Sequence, residues 1–263
     1  MNYKGAIGFF DSGVGGISIW KEVQALLPHE STVYLADSKN APYGERTEAE
    51  IVQLSVKNTE LLLNMGCKLI VVACNTATTN AISCLRQKYD IPFIGIEPAI
   101  KPAALQTHTG AVGVLATKGT LSSKLFHQTF HLHRNGVAII ERVGEGLVPL
   151  IEKGLANSKE METLLHTYIT PMLEGNVDHL VLGCTHYTYL RPLLEKMMPF
   201  SVKIIDSGEA VARQTRAVLE KEKLLTNKNT PGTHAFYTNA DVKLLKMFLK
   251  DIDTAFVARY LDF

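Results

Sequence analysis

Two of the four cysteines in this chain stand where a thiol could move a proton. Cys67, Cys74, Cys84 and Cys184 follow one another at intervals of 7, 10 and 100 residues. That spacing holds no CxxC or CxxH, so it supports neither a zinc site nor a thioredoxin-type redox pair. A disulfide framework is equally unexpected in a chain read as cytoplasmic. Cys74 and Cys184 each close an apolar run and precede small polar residues, in Ala73-Cys74-Asn75-Thr76 and Gly183-Cys184-Thr185-His186. A cysteine between a parallel strand and a helix N-terminus sits where the helix dipole favours the thiolate. These two are expected to be reactive. Cys67, at the start of a strand, and Cys84, within Ile82-Ser83-Cys84-Leu85, are expected to be buried structural thiols, the commonest state of the residue.

Thiols facing each other across a small molecule suit the inversion of a stereocentre, because a base removes a proton from one face while an acid returns one to the other. A free thiol has a pKa of about 8.5, so only a few per cent is thiolate near neutral pH. Each unit of unfavourable shift costs about 1.4 kcal/mol, and neighbouring groups must therefore help. Asp11 ends the strand expected beside that of Cys74, and His186 lies two residues after Cys184. Each is a proton-handling partner for one thiol. The competing roles are ordinary ones, since Asp before Ser-Gly forms turns and His at a helix start caps it. The run Asp11-Ser12-Gly13-Val14-Gly15-Gly16 lacks both GxGxxG and the Walker lysine, so a nucleotide loop is poorly supported. A loop that brings backbone amides to a bound carboxylate accounts for its glycines equally well. Pro42-Tyr43-Gly44 reads as a turn at the rim of the cleft. His127, His131 and His133 have no acidic or cysteine ligand nearby and read as helix-surface residues, so no metal site is expected.

The elements that must position these residues alternate along nearly the whole chain. Strand-like runs lie at Ile7–Phe10, Val33–Ala36, Leu69–Ala73, Phe93–Ile96, Ala111–Ala116, Val137–Arg142, His179–Gly183, Lys203–Ile205 and His234–Tyr237. Between them run helical patterns such as Glu48–Asn64, with Ile51, Leu54, Leu61 and Leu62 as its apolar positions. Continuous apolar strands separated by amphipathic helices mean βαβ units around parallel sheet. Ligands in such folds collect beyond the carboxyl ends of the strands, where Asp11, Cys74, Thr117 and Cys184 all fall. The two cysteine texts, Val-Val-Ala-Cys-Asn-Thr and Val-Leu-Gly-Cys-Thr-His, are offset by 184 − 74 = 110 residues. Asp11 to Cys74 spans 63 residues and Thr117 to Cys184 spans 67, which points to a duplicated α/β unit. The predicted fold is thus α/β with mostly parallel sheets. Its halves are 1–97 plus 208–263, and 98–207, and the segment after 208 supplies one or two strands and two helices to the first.

Composition narrows the partners. Of 263 residues, 46% are hydrophobic and 20% charged, which excludes a largely disordered or fibrous chain. A net charge of +1 offers no basic excess for nucleic acid or an acidic membrane face. No apolar run approaches the roughly 20 residues of a membrane span. The opening residues Met1–Ala6 lead straight into Ile7-Gly8-Phe9-Phe10 and read as the approach to a strand, not as a secretory signal.

Taken together these pieces resemble the glutamate racemase family. The resemblance runs from Phe10-Asp11-Ser12-Gly13-Val14-Gly15-Gly16 through Pro42-Tyr43-Gly44, Ala73-Cys74-Asn75-Thr76-Ala77, the hydroxyl run Thr117, Thr120 and Ser123, Leu147–Glu152 and Gly183-Cys184-Thr185-His186-Tyr187 to Asp206-Ser207-Gly208. It implies two flavodoxin-like, three-layer α/β/α halves related by a pseudo-two-fold axis, with the site in the cleft between them, and commonly a homodimer. It implies Cys74 and Cys184 as the two acid/base residues, assisted by Asp11, Glu152 and His186, with no cofactor and no pyridoxal phosphate. Ser12, Pro42, Tyr43, Gly44, Asn75, Thr76, Thr117, Thr120 and Thr185 would hold L- or D-glutamate, which the family supplies for cell-wall synthesis. Aspartate racemase, hydantoin racemase and maleate isomerase are the neighbouring alternatives. Histidine after Cys-Thr favours glutamate, since aspartate racemases more often place Glu there. A flavodoxin-like binding or redox protein is the alternative of a different class.

Overall fold

The computed structural model describes residues 5–133 and 136–263, and the side chains of residues 129–133 lie outside the description. The expectation for His131 and His133, and that for the first four residues, therefore fall outside the described residues. His127 is exposed on its helix, Lys124–His133.

Ten strands are found among the described residues. They are β1 (Ile7–Asp11), β2 (Thr32–Ala36), β3 (Leu69–Val72), β4 (Phe93–Gly95), β5 (Ala111–Ala116), β6 (Ala138–Val143), β7 (His179–Gly183), β8 (Lys203–Ile205), β9 (His234–Thr238) and β10 (Phe256–Tyr260). They form two sheets, ordered β10-β9-β2-β1-β3-β4 and β6-β5-β7-β8, and every pairing is parallel. The order β2-β1-β3-β4 in the first sheet is repeated as β6-β5-β7-β8 in the second. Cys74 and Cys184 follow β3 and β7, so they occupy corresponding places in that repeat.

Helices cover both faces of the sheets, which is why the central strands read as unbroken apolar runs. Phe9 packs on one face of the first sheet with Trp20, Tyr34 and Phe236, while Phe10 packs on the other with Val72, Leu35 and Tyr43. The second sheet does the same, with Leu115 and Leu180 on one face and Val114 and Val181 on the other. Strand β10 is absent from the nine runs read from hydrophobicity. It is an edge strand with Val257 and Tyr260 exposed, so it has too few inward side chains to announce itself.

The helix Glu48–Asn64 has the predicted bounds, and its start is encoded locally. Thr47 accepts a bond from the Glu50 amide while the Glu50 carboxylate accepts from the Thr47 amide, a capping box. Its core face differs from the apolar reading. Ile51 and Leu62 are buried, but so are Ser55, Asn58 and Thr59, whereas Leu54 and Leu61 are half-buried. The chain passes from the first sheet to the second after β4 and returns after β8. The two crossings touch, with Ser207 Oγ donating to the Glu97 carbonyl at 2.5 Å.

Candidate active site

Cys74 is the N-cap of the helix Asn75–Lys88, where its sulfur accepts from the Ala77 amide at 3.4 Å and lies 3.8 Å from Ser12 Oγ. Burial pushes its thiol well above the ordinary value, and the neighbouring Asp11 carboxylate pushes it further. The Ala77 amide and Ser12 hydroxyl act in the opposite direction but do not prevail. Cys74 at rest is therefore a thiol. Asp11, fully buried at the end of β1, is itself raised, by burial first and by Glu152 in part, against the pull of His186 and the Gly16 amide. Cys67 is pushed up to about 12 by burial alone, and Cys84 is half-buried, less enclosed than a core thiol.

Cys184 differs from its counterpart. The segment after it is a 3-10 helix, Thr185–Leu190, that leads into the α-helix Arg191–Met197. The three-residue turn places Cys184, Tyr187 and Leu190 along one face, all within the second core. Among the described residues, no backbone amide bonds to this sulfur as one does at Cys74. Its neighbour is His186, with Nδ1 3.9 Å from the sulfur and Nε2 2.6 Å from Glu152 Oε1. Burial opposes the charged imidazole, but the Cys184 sulfur and the Glu152 carboxylate outweigh it. They hold His186 well above the usual histidine value.

Two amides of the glycine run meet carboxylates of the protein itself. The Val14 amide donates to Glu152 Oε1 at 2.7 Å and the Gly16 amide donates to Asp11 Oδ2 at 2.7 Å. These amides thus bind the protein's own carboxylates, which leaves them unavailable to a bound one. The glycines are needed for close approach instead. A Cβ on Gly13 would strike the Glu152 carboxylate, and one on Gly15 would strike the His186 ring. Tyr34 and Tyr189 steady the loop from both sides by donating to the carbonyls of Gly13 and Val14 at 2.9 Å. The loop ending β1 is therefore packed against Glu152, at the end of the helix Leu147–Glu152, and His186, in the 3-10 helix after β7.

The remaining candidates fall into three kinds. Thr76, Thr117 and Thr120 form a buried cluster of hydroxyls across the sheets, with Thr76 Oγ1 2.8 Å from Thr117 Oγ1 and 3.2 Å from Thr120 Oγ1. Ser123 turns away, donating to the Thr120 carbonyl. Tyr43 lies in a short 3-10 turn, Tyr43–Glu45, and its hydroxyl is taken by Asp37 at 2.5 Å and Asn58 at 3.0 Å. What this turn can offer a ligand is backbone, with Gly44 lying directly on Thr117. Asn75 and Thr185 are buried beside the two cysteines, and both amide atoms of Asn75 lack a partner among the described residues. Pro42 and Gly44 meet Thr117, Gly144 and Val148 around an open cleft of about 140 Å³. Missing from the sequence reading are Asp37, Asn58, Tyr34 and Tyr189. Asp37 follows β2 as Asp11 ends β1, so the strand-end rule applied there would have found it.

Residues 18–215 match the family described as Asp/Glu/Hydantoin racemase. The chain is 45% identical over 235 residues to a glutamate racemase of Herpetosiphon aurantiacus, covering 89% of this chain and 92% of that one. Among solved structures it is similar to glutamate racemase isoform RacE1 from Bacillus anthracis, with a TM-score of 0.88 at 28% identity over 100% of this chain and 98% of the other. It is also similar to Escherichia coli glutamate racemase in complex with L-glutamate and the activator UDP-MurNAc-ala, with a TM-score of 0.85 at 33% identity and 98% of each chain covered. The expected resemblance holds over nearly the full length, with the same α/β architecture. This chain belongs to the Asp/Glu/hydantoin racemase family.

Proposed function

We propose that this protein interconverts L- and D-glutamate by proton transfer between Cys74 and Cys184. The observation that carries the reading is the pair of buried cysteines at corresponding strand ends, each with its own acid/base neighbour. One cysteine, as thiolate, takes the α-proton; the other, as thiol, delivers its proton to the opposite face, and the roles exchange for the other enantiomer. No net proton is gained or lost. Asp11 and Ser12 serve Cys74, while His186, charged through its contact with Glu152, serves Cys184. The α-proton is very weakly acidic, so fixed donors in a dry cleft must stabilise the developing carbanion.

Asn75 supports an amino-acid ligand directly. Its buried carboxamide pairs with no atom of the described residues, and each unsatisfied polar group costs about 1–3 kcal/mol. A zwitterion supplies both complements, a carboxylate for the Nδ2 hydrogens and an ammonium for Oδ1. Thr185, Thr76 and Thr117, with Thr120 behind them, offer further neutral donors, and the turn of Pro42, Tyr43 and Gly44 offers backbone. The catalytic unit consists of lobes 1–97 plus 208–263 and 98–207, closing on the substrate, and works as a cytoplasmic homodimer that supplies D-glutamate for peptidoglycan.

Racemisation of L-glutamate in deuterated water tests the scheme, because the product must carry deuterium at Cα. Retention of protium during turnover would refute exchange through thiols. Aspartate assayed in parallel by chiral separation distinguishes the two amino-acid specificities.

A further inference from the structure

We propose that Asp37 is a positioning residue for the substrate cleft: its buried carboxylate, acting through the Tyr43 hydroxyl, sets the Pro42-Tyr43-Gly44 turn against Thr117. The inference rests on the racemase reading above.

Asp37 is fully buried and lies at the carboxyl end of β2, with its amide donating to the Asp11 carbonyl at 3.0 Å. A carboxylate there needs compensation, since an unpaired buried charge is prohibitively costly. Five side chains provide it. Tyr43 Oη and Asn239 Nδ2 each donate at 2.5 Å, Asn40 Nδ2 at 2.7 Å, and Asn58 Nδ2 and Lys57 Nζ at 3.4 Å. These donors come from the turn itself, from the 3-10 turn Ser38–Asn40, from the helix Glu48–Asn64 and from the segment after β9. Four separate stretches of chain thus converge on one side chain.

The tie to Tyr43 is fully determined. Its hydroxyl has one proton, directed to Asp37, and accepts from Asn58 Nδ2 at 3.0 Å. Burial, together with the Asp37 charge, holds the Tyr43 phenol well above its ordinary value, so it remains a donor throughout neutral pH. The side chain that anchors the turn accordingly cannot face the ligand, and its effect is transmitted through the backbone. Gly44 follows immediately and has no room to move toward the second sheet: a Cβ there would lie 2.7 Å from Thr117 Cβ. On the far side, a Cβ on Gly119 would lie 2.9 Å from Thr76 Cγ2 and 3.2 Å from Gly44 Cα. The turn is wedged between the Asp37 anchor and the Thr76–Thr117 hydroxyl pair. Releasing the anchor lets the turn slide and loosens the cleft wall that Pro42, Gly44 and Thr117 share.

A role confined to folding would show only in stability. The test therefore compares Tyr43→Phe, Asp37→Asn and the double variant for KM, kcat and melting temperature. Tyr43→Phe deletes one oxygen and keeps the buried ring, which makes it the variant expected to fold where Asp37→Asn does not. Each single variant should raise KM for glutamate about tenfold, the equivalent of one hydrogen bond, with kcat changed less than about threefold. The double variant should be no worse than the weaker single one, because both act through the same contact. Unchanged KM in Tyr43→Phe beside normal racemisation by the unsubstituted chain would overturn this inference alone, as would strictly additive effects. Failure of the unsubstituted chain to racemise glutamate would overturn the racemase reading, and this inference with it.

Discussion

Replacing Gly13 with alanine should separate Glu152 from the loop that holds it. Gly13 does not occupy the left-handed region, so alanine is compatible with its backbone and the conflict is purely one of space. The new methyl group would occupy the position of the Glu152 carboxylate. Either the carboxylate or the loop must then withdraw, and the Val14 amide bond to Glu152 Oε1 at 2.7 Å is lost. A hydrogen bond to a charged group is worth about 1.5–3 kcal/mol. At about 1.4 kcal/mol per decade, the expected loss in kcat/KM is about 10- to 150-fold. Part of that loss passes through His186, whose imidazole shares the same carboxylate oxygen at 2.6 Å. Gly13→Ala combined with Glu152→Gln should be no slower than Glu152→Gln alone, since both disrupt one contact. Initial rates in both directions, measured by chiral separation, give the answer, with circular dichroism to check folding. A folded Gly13→Ala enzyme within twofold of the unsubstituted rate would refute the argument that this close approach matters.

Three further outcomes follow from the geometry. Cys74→Ala and Cys184→Ala should each reduce racemisation by more than about a thousandfold, as removal of an essential base does, and full activity in either would sink the two-base scheme. Glu152→Gln should shift the alkaline limb of the pH–rate profile to lower pH, because His186 loses one of the three groups, Cys184, Glu152 and Asp11, that keep it charged. The stability sign agrees: a histidine raised in the folded state contributes fully below the unfolded value near 6.5 and loses that contribution as pH climbs through the raised one. Denaturant midpoints on both sides of neutrality should therefore converge in the variant. Iodoacetamide at mildly alkaline pH should label half-buried Cys84 before Cys67, whose thiol burial holds near 12, and mass spectrometry of the digested peptides reads the order.

Much of the fold was legible in the sequence. Apolar runs between amphipathic helices specify parallel α/β structure, because strands covered on both faces must be hydrophobic throughout. The 110-residue offset between the cysteine texts appears in space as the repeated order β2-β1-β3-β4 and β6-β5-β7-β8. The helix Glu48–Asn64 was readable from its recurring apolar positions, and a capping box, a local signal, sets its start. Strand β10 was not, since an exposed edge imposes little pattern on the chain.

What the one-dimensional chain determined by itself is the inventory: which thiols end strands, which polar residues follow them, and how many times the unit occurs. Only the tertiary structure decided how those groups are used. The Val14 and Gly16 amides meet Glu152 and Asp11, Tyr43 turns its hydroxyl to Asp37, and the segment after Cys184 winds as a 3-10 helix. The Val14 amide depends on a partner far away in sequence, Glu152, 138 residues apart. Strand and helix periodicity reports which face of an element is buried, and carries no information about which hydrogen-bonding group waits on the other side.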